Sequence, residues 1–174
     1  MNIQIELISA SELADESFNI VINDLKSIET YRVEMFLSDY YCINAPMLLA
    51  HDVLWRSIGT FVSDKYGIID ISQTPSCSGS YEGISTMGLF FNAKPLTNKR
   101  KKLPNSLSKI PLLDHFFVGI KIMQGNTVIA ERTFTRHYMS SQISHQDIYG
   151  KHFQGRLFYD KKAIKTPSID YCER

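Results

Sequence analysis

Residues 44–67, NAPMLLAHDVLWRSIGTFVSDKYG, most constrain what this chain can build. Met47, Leu54, Ile58, Phe61 and Tyr66 recur at a broad three-to-four residue spacing, which places apolar side chains on one helical stripe. Asn44 suits an N-cap and Pro46 the first turn, where its missing N–H costs nothing. Gly67 suits a left-handed closing residue, with Lys65 near the negative end of the dipole. The pattern predicts one long helix over 44–67. At 1.5 Å per residue it would span roughly 30 Å and need a partner surface to be stable. Leu54, Ile58 and Phe61 are expected to fill the inner face of a sheet, so that Leu54→Asp would break the core.

The surrounding segments read mainly as strands. Ile3, Ile5 and Leu7 alternate in the first segment, and 18–25 reads as a second. Tyr31, Val33, Met35 and Leu37 share one face of a third, with Arg32, Glu34, Phe36 and Ser38 on the other. Residues 68–71 and 84–92 read as two more. The clearest β signal is HFFVGIKIM at 115–123 and TVIAERTFTRHY at 127–138, joined by Gln124-Gly125-Asn126. Two alternating runs across a short Gly/Asn turn predict a hairpin. Its alternation sends Glu131 and Arg132 to opposite faces. Residues 140–150 read as a polar connection or a short helix capped by Ser144, and 151–159 as one more strand.

These elements predict a single α+β domain over 1–159: a mainly antiparallel sheet of about five to seven strands packed on the long helix. A basic, proline-containing loop covers 94–111, and a loosely packed tail covers 160–174.

Composition limits the function classes. Nineteen basic residues against eighteen acidic ones give a net charge of +1, so no global pull towards nucleic acid or anionic membrane is expected. The hydrophobic share of 44% is that of a globular protein, and no apolar run approaches the roughly 18 residues of a membrane span. Cys42, Cys77 and Cys172 are odd in number and lack a CxxC pair, which predicts free thiols in a reducing, cytoplasmic setting. A mature periplasmic form with its leader removed would read the same.

No metal and no cofactor are expected. His137, His145 and His152 match no compact ligand spacing, and His51 and His115 stand apart from them. Cys77 lies in the polar loop SQTPSCSGSYEG but has no local base to activate it. Lys94, Lys99, Arg100, Lys101, Lys102 and Lys109 form a cationic segment with no acidic residue among them. They are the candidate binding residues. No catalytic residue is assigned on the leading reading; His51, Asp52 and Cys77 are the alternatives.

The order of a long helix followed by four strands, over 44–138, resembles the hot-dog fold, in which a sheet wraps a central helix. That resemblance implies a dimer acting on acyl thioesters, with a carboxylate or histidine near the helix in the position of His51 or Asp52. A second likeness is to small α+β auxiliary proteins of bacterial transport systems. The leading expectation is a non-enzymatic binding or assembly protein, using a sheet edge or the 94–109 loop. It would contact a protein partner or form a homodimer, with nucleic acid as the alternative partner of the loop. The rival is a small hot-dog-like enzyme acting on an acyl thioester.

Overall fold

The computed structural model describes residues 2–40, 53–96 and 114–162. Two antiparallel sheets face each other across one apolar core, and a separate hairpin follows them. The strands in chain order are β1 (Gln4–Ser9), β2 (Phe18–Asn23), β3 (Thr30–Ser38), β4 (Trp55–Val62), β5 (Ile69–Asp70) and β6 (Ser78–Gly79). After a single helical turn, α1 (Gly88–Phe91), come β7 (Lys94–Pro95), β8 (His115–Gln124), β9 (Thr127–His137), β10 (Ile143–Tyr149) and β11 (Gln154–Asp160). The small sheet runs β1-β2-β5. The large one runs β6-β4-β3-β8-β9, with β7 also on β4, and β10-β11 stand as the hairpin.

The mainly antiparallel architecture expected from the sequence is present, but the long helix is not formed at 55–62. That segment is β4, paired with β3 from Leu37↔Trp55 to Thr30↔Val62. In WRSIGTFV the inward positions of the strand are Trp55, Ser57, Gly59 and Phe61. Trp55, Ser57 and Phe61 are buried, while Arg56, Ile58 and Thr60 face the other way. Gly59 weakens a helix but suits this strand. A Cβ there would meet the Phe61 ring at 2.5 Å, so the ring lies across the glycine. Leu54 is an exposed hydrophobic and Ile58 lies on the outer face, so of the three expected core residues only Phe61 fills the inside. Gly67 does adopt the left-handed conformation (φ 75°), but it closes a turn after β4. There its N–H donates to Asp64 O, while Asp64 Oδ1 accepts from the N–H groups of Tyr66 and Ile68. The proposed helix start at Asn44 and Pro46 lies outside the described residues.

The cover that the helix was expected to give the large sheet comes instead from the small sheet. Val33, Met35, Leu37, Val118, Ile120 and Ile122 have no solvent exposure and share one cluster with Ile5, Phe18, Ile20, Ile22 and Ile69. Such a sandwich buries one face of each sheet and leaves the other to water. Residues 84–92, expected as a strand, hold α1 instead. Phe90 turns into the aromatic cluster, edge-on to Phe18 at 5.7 Å and to Tyr40 at 5.4 Å, and Phe91 is exposed. Residues 143–149, expected as a connection or short helix, form β10. Lys161 belongs to the hairpin rather than to a loose tail, since its N–H donates to Gln142 O and its Nζ to Ser141 O.

The open side of the sandwich, between β1 and β9, is closed by arginines. Arg132 Nη1 donates to Ile5 O at 2.7 Å. Arg136, 1% exposed, donates to Ser9 Oγ and to the carbonyls of Ser11, Leu13 and Glu16. Burial pushes its pKa down, against the pull of Glu12, Glu16 and Asp15. These bonds satisfy a buried charge that would otherwise be costly, and they pin the 11–16 segment to β9. Asp70, in β5, has its pKa raised by burial, but donors from Ser72, Asn19 and Gln73 outweigh that and leave it lowered.

Candidate functional site

Alternation fixes what the outer face of the large sheet presents. Phe117, Gly119 and Lys121 leave β8 on that side, and their register partners on β9 are Thr135, Thr133 and Glu131. From β3 come Arg32, Glu34 and Phe36, and from β4 comes Arg56. Three groups of functional side chains stand on this face.

The first is a corner where the hairpin arms end. His115 and His137 are register partners, with ring centroids 6.0 Å apart. Asp114 Oδ1 accepts from His115 Nδ1, and this bond holds the Asp114 carboxyl below its usual range. Glu12 Oε2 lies 3.9 Å from His137 Nε2, on the segment that Arg136 pins down. A carboxylate on Nδ1 leaves the other imidazole nitrogen free to take a proton, the arrangement a general base requires. Among the described residues, no serine or cysteine hydroxyl or thiol makes a hydrogen bond to a histidine.

The second is a buried carboxylate held between two arginines. Glu34 Oε1 lies 3.0 Å from Arg32 Nε and accepts from Arg56 Nη2 at 2.8 Å. The Arg32 contact is an ion pair without hydrogen-bond alignment, since that Nε makes no hydrogen bond. The Glu34 side chain is nearly buried and the arginines are about two-thirds covered, so the attraction is screened less than at an open surface.

The third is an open groove of about 340 Å³ beside Phe36, reaching Phe117, Gly119, Lys121 and Thr133. Arg56 stands 5.8 Å and Lys121 5.3 Å from the centre of the Phe36 ring. His115 meets Phe117 edge-on at 4.9 Å, so the groove and the histidine corner adjoin.

Of the residues expected to be functional, the structure describes Cys77 and Lys94. His51, Asp52, Lys99, Arg100, Lys101, Lys102 and Lys109 lie outside the described residues. Cys77 is exposed, and its thiol reaches only Pro75 O at 4.0 Å. Lys94 is placed on the outer face by its pairing with Arg56. His145 belongs to β10, against Phe158, and does not join His137. No group of three His, Cys, Asp or Glu among the described residues converges on a metal-sized site. No helix among them is long and apolar enough to cross a membrane. The histidine corner was not legible from the turn. Counting back from Gln124↔Thr127 would set His115 opposite Arg136, and only the register shift between Ile122 and Met123 brings it opposite His137.

The outer face thus gathers acid–base groups and a cation-flanked aromatic on one open side of a two-sheet sandwich. Residues 15–149 match the family described as acyl-CoA thioester hydrolase/BAAT N-terminal region, and the chain belongs to it. It is also similar to acyl-coenzyme A amino acid N-acyltransferase 2 of Mus musculus, at 24% identity over 112 residues, covering 64% of this chain. The chain spans about a quarter (24%) of that relative's length. These findings overturn the expectation of a non-enzymatic binding or assembly protein. Protein–protein interaction falls with it as the main role. What remains of the sequence reading is its acyl-thioester alternative, now without the helix on which the hot-dog likeness stood at 55–62.

Proposed function

We propose that this chain works on acyl-CoA thioesters, in an enzyme that passes the acyl group to water or to an amine. The observation that carries the reading is the family match across 15–149. The outer face supports it with chemistry of the right kind. The Asp114–His115 pair is suited to take a proton from an attacking water or amine, and His137 beside Glu12 supplies a second titratable group at the same corner. A thioester carbonyl is already reactive, so a positioned base and an oriented ester are a sufficient minimal requirement for hydrolysis. The exposed free Cys77 supports a reducing, cytoplasmic compartment.

The test offers the purified chain acyl-CoA esters of increasing length and follows release of the CoA thiol, with and without an added amino acid. Binding is measured alongside by calorimetry. The expected result is saturable acyl-CoA binding, with thiol release that falls at least about tenfold in His115→Asn. A chain that neither binds nor turns over any of the esters would overturn the reading. Release that rises with the amino acid assigns transfer to an amine rather than to water.

A further inference from the structure

The end of the sandwich away from the histidine corner carries a surface of a different kind. Ser38, at the close of β3, pairs with Phe117 near that corner, whereas Thr30, at the start of β3, pairs with Val62. Two turns meet beside Thr30: residues 24–29 between β2 and β3, and residues 63–67 after β4. Hydrogen bonds lock them together. Leu25 N–H donates to Gly67 O, Ile28 N–H to Asp64 O and Ser63 N–H to Glu29 O, while Ser63 Oγ donates to Lys26 O. Whatever these turns present is therefore held in place.

They present Ile28, 68% exposed, and Tyr66, 72% exposed, with Val62 also open beside Thr30. Ile28 is held at φ 56°, in the left-handed region. A β-branched side chain is strained there, and glycine or asparagine would serve the turn better. On the surface, isoleucine gains no burial within the chain to offset that strain. A contact outside the chain would supply it.

Charge narrows the choice of partner. Lys26 and Glu29 flank Ile28, and Asp24 and Lys65 stand on the same two turns. Among the described residues none of these four finds an ion-pair partner. Lys65 Nζ lies 4.8 Å from the centre of the Tyr66 ring and so covers one side of it. Two cations and two anions cancel, so the patch has no net attraction for nucleic acid or an anionic membrane. It does complement itself. In an isologous contact each patch meets its own copy across a two-fold axis. With the axis at Ile28, Lys26 of one copy faces Glu29 of the other, because the two residues flank Ile28 on opposite sides.

We propose that this end of the sandwich is a self-association surface, on which a second copy of the chain packs Ile28 against Ile28 and pairs Lys26 with Glu29. Three exposed apolar side chains per copy fall short of a standard interface of about 1,600 Å², so the dimer is a weak one that forms at micromolar concentration or above. The inference is independent of the acyl-CoA reading.

Sedimentation velocity on the whole chain, from about 1 to about 200 µM, tests this in wild type, Ile28→Asn, Lys26→Glu, Glu29→Lys and the double variant Lys26→Glu/Glu29→Lys. Flotation with phosphatidylcholine vesicles runs alongside. Asparagine tolerates the left-handed region, so the melting temperature of Ile28→Asn at low concentration should not fall. The expected result is a concentration-dependent wild-type dimer, weakened about tenfold or more by Ile28→Asn and a few-fold by either charge reversal. The double variant should recover the wild-type affinity. Wild type that stays monomeric throughout would overturn the proposal, as would a dimer that Ile28→Asn leaves unchanged. A lower melting temperature for Ile28→Asn would assign Ile28 to the chain's own packing instead. A double variant as weak as the single reversals would overturn the Lys26–Glu29 pairing. Vesicle binding that Ile28→Asn abolishes, without self-association, would put a lipid surface in place of the second copy.

Discussion

The two faces of the large sheet are built from the same strands, one residue out of step, and they do different work. On β8 the inner series Phe116, Val118, Ile120 and Ile122 is buried, and the outer series His115, Phe117, Gly119 and Lys121 is half-open. On β9 the inner series ends in Arg132 and Arg136, because at the sandwich edge the partner surface is backbone carbonyl rather than apolar side chain. The same alternation that excludes water on one side lines up polar, aromatic and titratable groups on the other. Core packing and the proposed chemistry are thus separated by one residue of register, and a one-residue slip would exchange the two faces.

The largest effect should come from carrying a charge across that boundary. Ile120→Asp places an unpaired carboxylate in a fully buried position and is expected to cost more than about 4 kcal/mol. Lys121→Gln, one residue on, removes only an exposed ion pair and should cost less than about 1 kcal/mol. Urea denaturation of the two variants side by side measures the contrast, and comparable losses would mean that the faces are not divided as described.

Arg136→Leu sharpens the comparison where the inner face turns polar. It removes the shared donor of four acceptors; Ser11 O keeps the Ser9 hydroxyl and Leu13 O keeps the Glu16 N–H, so Glu16 O is left to find water, at about 1–3 kcal/mol. Amide exchange should quicken first in residues 11–16. A uniform loss of protection across both sheets would instead make Arg136 a general core residue.

A small effect is also expected for the carboxylate of the outer face. Glu34→Gln leaves Arg32 and Arg56 facing each other without their carboxylate, yet both arginines reach solvent. A cost of about 1 kcal/mol is expected, decreasing as salt is added. A loss of the size expected for Ile120→Asp would show that this carboxylate belongs with the core.

Local signals served well where both partners of an interaction lie close in sequence. The hairpin of β8 and β9 follows from two alternating runs and Gly125, whose φ of 59° suits the turn. The opposite orientations of Glu131 and Arg132 follow from the same period. β1, β2 and β3 were readable from their alternation to within two residues. The reading failed at 55–62, where the i, i+3 spacing of Trp55, Ile58 and Phe61 fits a helical stripe, whereas in the strand Ile58 faces out and only Trp55 and Phe61 of the three face the core. Gly59 was the local clue that a helix was the poorer choice. It failed again at 88–91, where β-prone phenylalanines form a helical turn because Phe90 finds Phe18 and Tyr40.

By itself the sequence determined that the chain would pair strands antiparallel and which residues of each long strand would share a face, because period 2 and turn chemistry act over a few residues. Only the tertiary structure decided what covers the sheet and which outward residues meet. The small sheet replaced the expected helix. Phe36 came opposite Gly119, and Arg136 reached back to a segment more than a hundred residues earlier. Those contacts depend on register and sheet order, which are set by the burial of the whole core rather than by any stretch short enough to read alone.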